Sequence, residues 1–428
     1  MLLNSNPFID KNHNKTLHAG SYVRRRQCPA VKVVSAVVVT KAVIMALTRL
    51  ERAQAWILSA CMGVLFALFR LLAPRLSGGF TKLQPVTNPL LMMSAMQLAQ
   101  RIRRREVCSS VARGSSGMPN TAGVVSRRGV LSVGDAPPVA LLKRAGAIPL
   151  GVTNSSELCM WCESHNHLYG ICNNPYDLER TPGGSSGGEG SILGSGASVI
   201  GIGSDIGGSI RMPCFFNGIF GHKTTPGVIS NDCQYPPASG RHEDYLSTGP
   251  MCRYAEDLLP MLRIMAGPNA HKLSLSIEVN LWNLRFFSIP HDGGSPLVSA
   301  VDEQLLQVQR RVVERLEADL GVKVQEMTSS SKPSPFIVKQ KEKLQKEIEE
   351  LLGTDGVLLY PTHPRLAPKH HHPLFTPFNF AYTGVINILG LPVTQCPLGL
   401  SVEGLPLGVQ VVTGKLQDRL GVFVMGKF

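Results

Sequence analysis

The 428-residue sequence leads to the expectation of an α/β fold. Two observations carry the first part of it. In the C-terminal half, helix and strand patterns alternate: an amphipathic helix over Asp302–Leu320 stops at Gly321, a strand starts in Val322–Val324, a charged helix covers Lys339–Leu352, and a turn at Asp355-Gly356 leads into a buried strand, Val357–Tyr360. Nearer the middle, the glycine-serine stretch Pro182–Gly227 encloses a short apolar run, Ala197–Ile202, read as a buried strand between two loops. The rest of the expectation, a large mixed β-sheet flanked by helices behind an N-terminal hydrophobic anchor helix, rests on motifs quoted below.

Composition narrows the classes. Hydrophobic residues make up 43% and charged residues 17%, which excludes a disordered chain. Forty-two glycines and 30 prolines, with no three-residue period, point to many tight turns rather than a collagen. The net charge of +13 is unevenly placed: residues 1–144 carry 21 basic and 4 acidic side chains, and the remainder sums to −4. A basic flank on a near-neutral body argues against a nucleic-acid binder and fits a membrane-proximal segment better. The ten scattered cysteines lack disulfide-framework spacing and read as reduced thiols.

Three units follow. Residues 1–52 form a basic extension with no assigned role. Residues 53–74 hold Ala55–Phe69, fifteen residues without a charge, flanked by Trp56 near one end and Arg70 near the other. Their length and flanks suggest a single membrane span or anchor, with membrane lipid as partner and an intracellular membrane as location. Residues 75–428 form the main domain, opening with an amphipathic helix over Leu90–Arg105.

The chemistry concentrates in Gly183-Gly184-Ser185-Ser186-Gly187-Gly188 and Asp205-Ile206-Gly207-Gly208-Ser209. A nucleophilic serine needs a base and backbone N–H donors where an oxyanion will develop. Glycines let successive N–H groups turn toward one point, so Ile206–Ser209 makes a candidate nest beside the Ser209 hydroxyl. Ser185, set among glycines, is placed to aim its hydroxyl at Ser209 from a strained peptide. No histidine is marked by spacing as a triad member. A phosphate loop lacks its Gly-Lys-Ser/Thr ending, and Gly201-Ile202-Gly203 is followed by Ile206 where a dinucleotide fingerprint has its third glycine. Read from residues alone, serine hydrolysis, anion binding and plain glycine packing stay open.

The combination of GGSSGG with SDIGGSIRMP, Ser209 lying 24 positions after Ser185, resembles the amidase signature family. Asn173–Asp177 (NNPYD) upstream and Asn217–Lys223 downstream also match, and GGSSGGEG with Glu189 resembles that family's fatty-acid amide hydrolase branch. The resemblance runs from about Arg70 to Val412, with breaks. It implies an α/β fold and membrane-associated hydrolysis of fatty-acid amides to free acid and amine or ammonia, with no cofactor. Ser209 would be the nucleophile of an acyl-enzyme and Ser185 the relay serine. The N–H groups of Ile206, Gly207, Gly208 and Ser209 would form the oxyanion hole, and Met160 and Trp161 would line the acyl channel.

The chain departs from the family pattern where its base, a lysine held neutral by burial, belongs. No lysine occurs between Lys82 and Lys143, and the lysine-bearing motif is replaced by a break at 107–117. A second break falls at 331–337, and the chain after Val412 looks shortened where relatives carry a closing helix. A non-catalytic product that binds only membrane or partners, and a glutamine amidotransferase subunit, are the alternatives. Cys159-x-x-Cys162 with His165, His167 and Cys172, and the run His370-His371-His372, carry metal-like spacing but read as an active-site wall and a solvated loop, so no metal is expected. Asn154 and the apolar Ala147–Val152 before it read as a buried strand and its end.

Overall fold

The computed structural model describes residues 83, 86–103, 117–295, 297–327 and 337–426. The expected extension 1–52, the anchor 53–74 and nearly all of both breaks lie outside the described residues. No described helix is long and apolar enough to cross a membrane.

Among the described residues ten strands are present: β1 (His165–Asn166), β2 (Gly170–Ile171), β3 (Ile200–Asp205), β4 (Phe220–Lys223), β5 (Ser247–Cys252), β6 (Arg285–Ser288), β7 (Val324–Glu326), β8 (Gly356–Tyr360), β9 (Val393–Leu400) and β10 (Pro406–Thr413). β1 and β2 form a separate hairpin, and the other eight make one sheet in the order β3-β5-β4-β9-β10-β8-β6-β7. The sheet is mixed: β6 runs parallel to β7 and β8, and the remaining pairs are antiparallel.

The helices are α1 (Ala95–Arg103), α2 (Pro137–Arg144), α3 (Gly187–Gly194), α4 (Arg211–Phe216), α5 (Leu258–Ala266), α6 (Glu303–Leu320), α7 (Ile337–Leu352), α8 (Ala381–Leu389) and α9 (Asp418–Met425). They cover both faces of the sheet. Along β10, Val409 and Val411 pack with α5, α6 and α9 residues, whereas Val412 joins Ile386 and Leu389 of α8. Alternate side chains of a strand point to opposite faces, so each face has its own core. The α/β expectation with a large mixed sheet therefore holds.

Local signals set most element ends. α6 is capped by the Asp302 carboxylate, which accepts from Gln304 N at 3.0 Å, and it stops at Gly321 with φ 63°. Four expectations need correction. The strand expected over Ala197–Ile202 is β3, at one end of the described sheet order; it starts at Ile200 and runs on to Asp205, because every one of its residues pairs with β5. Gly187 and Gly188, read as the end of the Gly183–Gly188 loop, instead open a helix, Gly187–Gly194, despite its glycines: a Cβ on Gly188 or Gly190 would strike Asn154 or Asn217, so close packing outweighs poor propensity. The stretch 147–156 is irregular rather than a buried strand, with Ile148, Leu150 and Val152 exposed, and no strand lies beside it among the described residues. Past Val412 the chain does close with a helix, α9, pinned by Asp418 to β4 and the residues after it, through His222 Nε2 (3.1 Å) and Thr225 N (2.9 Å).

Candidate active site

The site grows from the end of β3. Asp205, the last strand residue, is wholly buried, and its carboxylate caps the following turn: Oδ1 accepts from Gly208 N at 2.8 Å and Oδ2 from Ile210 N at 3.1 Å. Arg211, at the start of α4 and equally buried, returns Nε to Oδ2 and Nη2 to Oδ1, both at 3.0 Å. Burial alone would raise the Asp205 carboxyl pKa, but the Arg211 charge and hydrogen bonds outweigh it and hold the group well below the usual carboxylate range. Distant elements complete the platform. Asn387 on α8 donates to Asp205 Oδ1 (2.9 Å) and accepts from Arg211 Nη2, while Gln410 on β10 takes Arg211 Nη1 at 2.9 Å.

This frame forces the Ile206–Ser209 turn into shape. Gly208 adopts φ +127°, where a side chain would be strained and would also strike Thr383. Thr383 Oγ1 in turn donates to Gly207 O at 2.6 Å, fixing that carbonyl away from the turn's amides. Gly208 N is spent on Asp205, which corrects the expected four-donor hole. The N–H groups of Ile206, Gly207 and Ser209 have no acceptor among the described residues. The Ser209 side of the turn is 9% exposed.

The second serine loop lies alongside. Ser186 N donates to Ser209 O at 3.2 Å, so the two loops are tied backbone to backbone. The Gly184–Ser185 peptide is cis, and Ser185 is 2% exposed. Ser185 O accepts from Ser164 Oγ at 3.0 Å. A Cβ on Gly184 would lie 2.8 Å from Glu163 N, so the Trp161–Glu163 wall presses directly on this loop. Burial raises the Cys159 thiol pKa, and the nearby Ser155 and Ser185 hydroxyls partly restore it. No direct hydrogen bond joins the Ser185 and Ser209 hydroxyls among the described residues.

Met160 is half-exposed and Trp161 half-buried on this wall. Cys162, Met212, Phe216, His363, Asn379 and Phe380 line a narrow apolar pocket with room for about one water. Glu189, on α3, is half-buried and accepts from Thr153 Oγ1 at 2.7 Å; desolvation raises its pKa, against the Thr153 and Ile202 bonds. Among the described residues no group of three or more His, Cys, Asp or Glu side chains is arranged to hold a metal ion.

Sequence reasoning missed Lys223. At the end of β4 it is fully buried; desolvation, then the Arg211 charge, bring its pKa down to about 7 against the pull of Asp205 and Asp418. Its Nζ donates to Thr224 O (3.2 Å) and Ser247 Oγ (3.5 Å), not to either site serine.

The Amidase family profile matches residues 115–281 and 300–421. The chain is 52% identical to fatty-acid amide hydrolase 2-A of Danio rerio over 509 aligned positions, covering 88% of this chain and 96% of that protein. It is 42% identical to fatty-acid amide hydrolase 2 of Homo sapiens over 474 positions, covering 80% and 89%. Its fold is similar to that of 6-aminohexanoate cyclic dimer hydrolase, with a TM-score of 0.64 at 22% identity, covering 73% of this chain and 81% of that one. Both aligned spans to the hydrolases exceed the chain's 428 residues, so each crosses gaps on this chain's side.

Proposed function

We propose, for a chain that belongs to the amidase family, that it is a serine amide hydrolase of fatty-acid amide hydrolase type, built to cleave fatty-acid primary amides or N-acyl amines through an acyl-enzyme on Ser209. The observation that carries this reading is the turn itself: a buried serine set in a charge-clamped turn whose Ile206, Gly207 and Ser209 amides are free to meet an oxyanion, backed by the Ser185 loop. In the reaction, Ser209 Oγ attacks the amide carbon, the carbonyl oxygen gains negative charge at the turn, and the proton passes by way of Ser185 to the departing amine. Water then releases the fatty acid. Relatives named for fatty-acid amides support the substrate class. Residues 53–74 would hold the enzyme at a membrane.

A second reading is favoured by what surrounds the turn. The two serine hydroxyls are not bonded to each other, no lysine stands between Lys82 and Lys143, and the alignments cross gaps. On that reading the oxyanion turn persists without its base, and activity is confined to what the turn and binding supply, several decades below a full triad. Labelling the purified chain with a fluorophosphonate, with Ser209→Ala as control, tests the first reading, and oleamide turnover tests the second. We expect slow labelling that the Ser209→Ala variant abolishes, together with oleamide hydrolysis at least about 1,000-fold slower than a complete triad gives. Labelling unchanged in the Ser209→Ala variant would remove Ser209 from the mechanism. Rapid oleamide hydrolysis would show that a base is present after all.

A further inference from the structure

The loop that carries Ser185 takes its shape from one buried hydroxyl on the facing wall. Ser164, directly before β1, has no exposed surface, and each of its polar groups is engaged. Its N–H donates to Gly183 O at 3.1 Å, and its carbonyl accepts from Cys172 N at 2.9 Å, continuing the β1–β2 pairing. Its Oγ donates to Ser185 O at 3.0 Å and accepts from Gly187 N at 2.9 Å. Three backbone groups of the Gly183–Gly187 loop thus end on a single residue. The same closeness explains two of the loop's glycines. A Cβ on Gly187 would lie 2.4 Å from Ser164 Oγ, and one on Gly184 would lie 2.4 Å from Trp161 O. Only residues without a Cβ let the loop come this near the wall.

The consequence for Ser185 passes through one rigid unit. The Ser185 carbonyl and the Ser186 N–H belong to the same flat peptide. Ser164 Oγ holds the carbonyl, and the N–H donates to Ser209 O at 3.2 Å. That plane is therefore clamped between the wall and the backbone of Ser209 itself, and it cannot tilt without losing a bond. The Ser185 Cα is one corner of the plane, so the direction in which the Ser185 side chain leaves the backbone is set relative to Ser209.

We propose that Ser164 is a positioning residue for the hydrolysis, holding the Ser185 hydroxyl in the orientation from which it relays the Ser209 proton. The assignment rests on the acyl-enzyme reading above. Being wholly buried, Ser164 touches no substrate and acts only through Ser185. Without its hydroxyl, Ser185 O and Gly187 N lose their shared partner in a buried place, and the plane is released.

The test is the rate at which a fluorophosphonate labels Ser209 in the full chain, followed against probe concentration to separate the maximal rate from half-saturation. Ser164→Ala should lower the maximal rate by about 10- to 100-fold with half-saturation unchanged. Gly187→Ala, which pushes a Cβ into the hydroxyl from the loop side, should show the same loss with Ser164 in place. Ser156 is the matched control: it is equally buried on the same wall, and its Oγ bonds Trp161 O (3.0 Å) and Trp161 N (3.3 Å) rather than the loop. Ser156→Ala should leave the maximal rate unchanged. In a Ser185→Ala background, Ser164→Ala should have no further effect. A parent maximal rate in Ser164→Ala or Gly187→Ala would overturn the assignment alone, as would an equal loss in Ser156→Ala or losses that multiply in the Ser164→Ala, Ser185→Ala double variant. Parent-rate labelling in Ser185→Ala would instead remove the relay itself, and the role of Ser164 with it.

Discussion

The two sides of the candidate site are made differently. The Asp205–Arg211 platform is wholly buried and joined by charge-assisted bonds to α8 and β10, elements more than 170 residues away. The facing stretch, 147–172, has one two-residue ladder, positive φ at Leu158 and Cys159, and a row of exposed apolar residues in which Leu150 is 68% accessible. The platform's geometry is over-determined. The wall is held mainly by the Asn166 and Ser164 side chains. The contrast teaches that the turn is fixed by buried charge drawn from distant elements, whereas the wall is held by a few side-chain bonds.

Breaking the platform tests this most severely. Arg211→Met strands the buried Asp205 carboxylate among Asn387 and the turn amides, and should cost about 3–5 kcal/mol in urea unfolding. A loss below about 1 kcal/mol would mean the platform is not the rigid half. Lys223 sharpens the comparison through pH. It titrates near 7 in the fold and near 10.4 when unfolded. Between those values the unfolded chain holds the extra proton, so Lys223 makes stability rise with pH across that window, by at most about 1.4 kcal/mol per unit. Replacing it in Lys223→Met should flatten this rise and raise stability below pH 7; an unchanged slope would show the amine stays charged. The smallest effect belongs to the wall: Leu150→Ser should shift stability by less than about 0.5 kcal/mol, and a larger loss would reveal a partner packed over that row.

The residues read in advance differ in how well they foretold their surroundings. α6 was readable almost to the residue, because Asp302, the apolar stripe and Gly321 act within a few positions of one another. GGSSGG and SDIGGSIRMP announced both serines for the same reason: glycine placement is a local demand of the turn. The extension of β3 to Asp205, the helix in Gly187–Gly194, and the irregular 147–156 stretch were not readable. Each depends on what arrives from elsewhere: β5 pairing, Asn154 and Asn217 at close range, and the absence of a neighbouring strand among the described residues.

What the chain carries in its linear order is the periodicity of its helices, the turn chemistry around Ser185 and Ser209, and a family resemblance written in those turns. Those are short-range properties, satisfied by neighbours along the backbone. Folding in three dimensions settled which amides of the turn remain free, left the two hydroxyls without a mutual bond, and buried Lys223 beside Arg211. These are matters of burial and of charge meeting charge across the sheet, and they arise only when segments hundreds of residues apart exclude water from the same space.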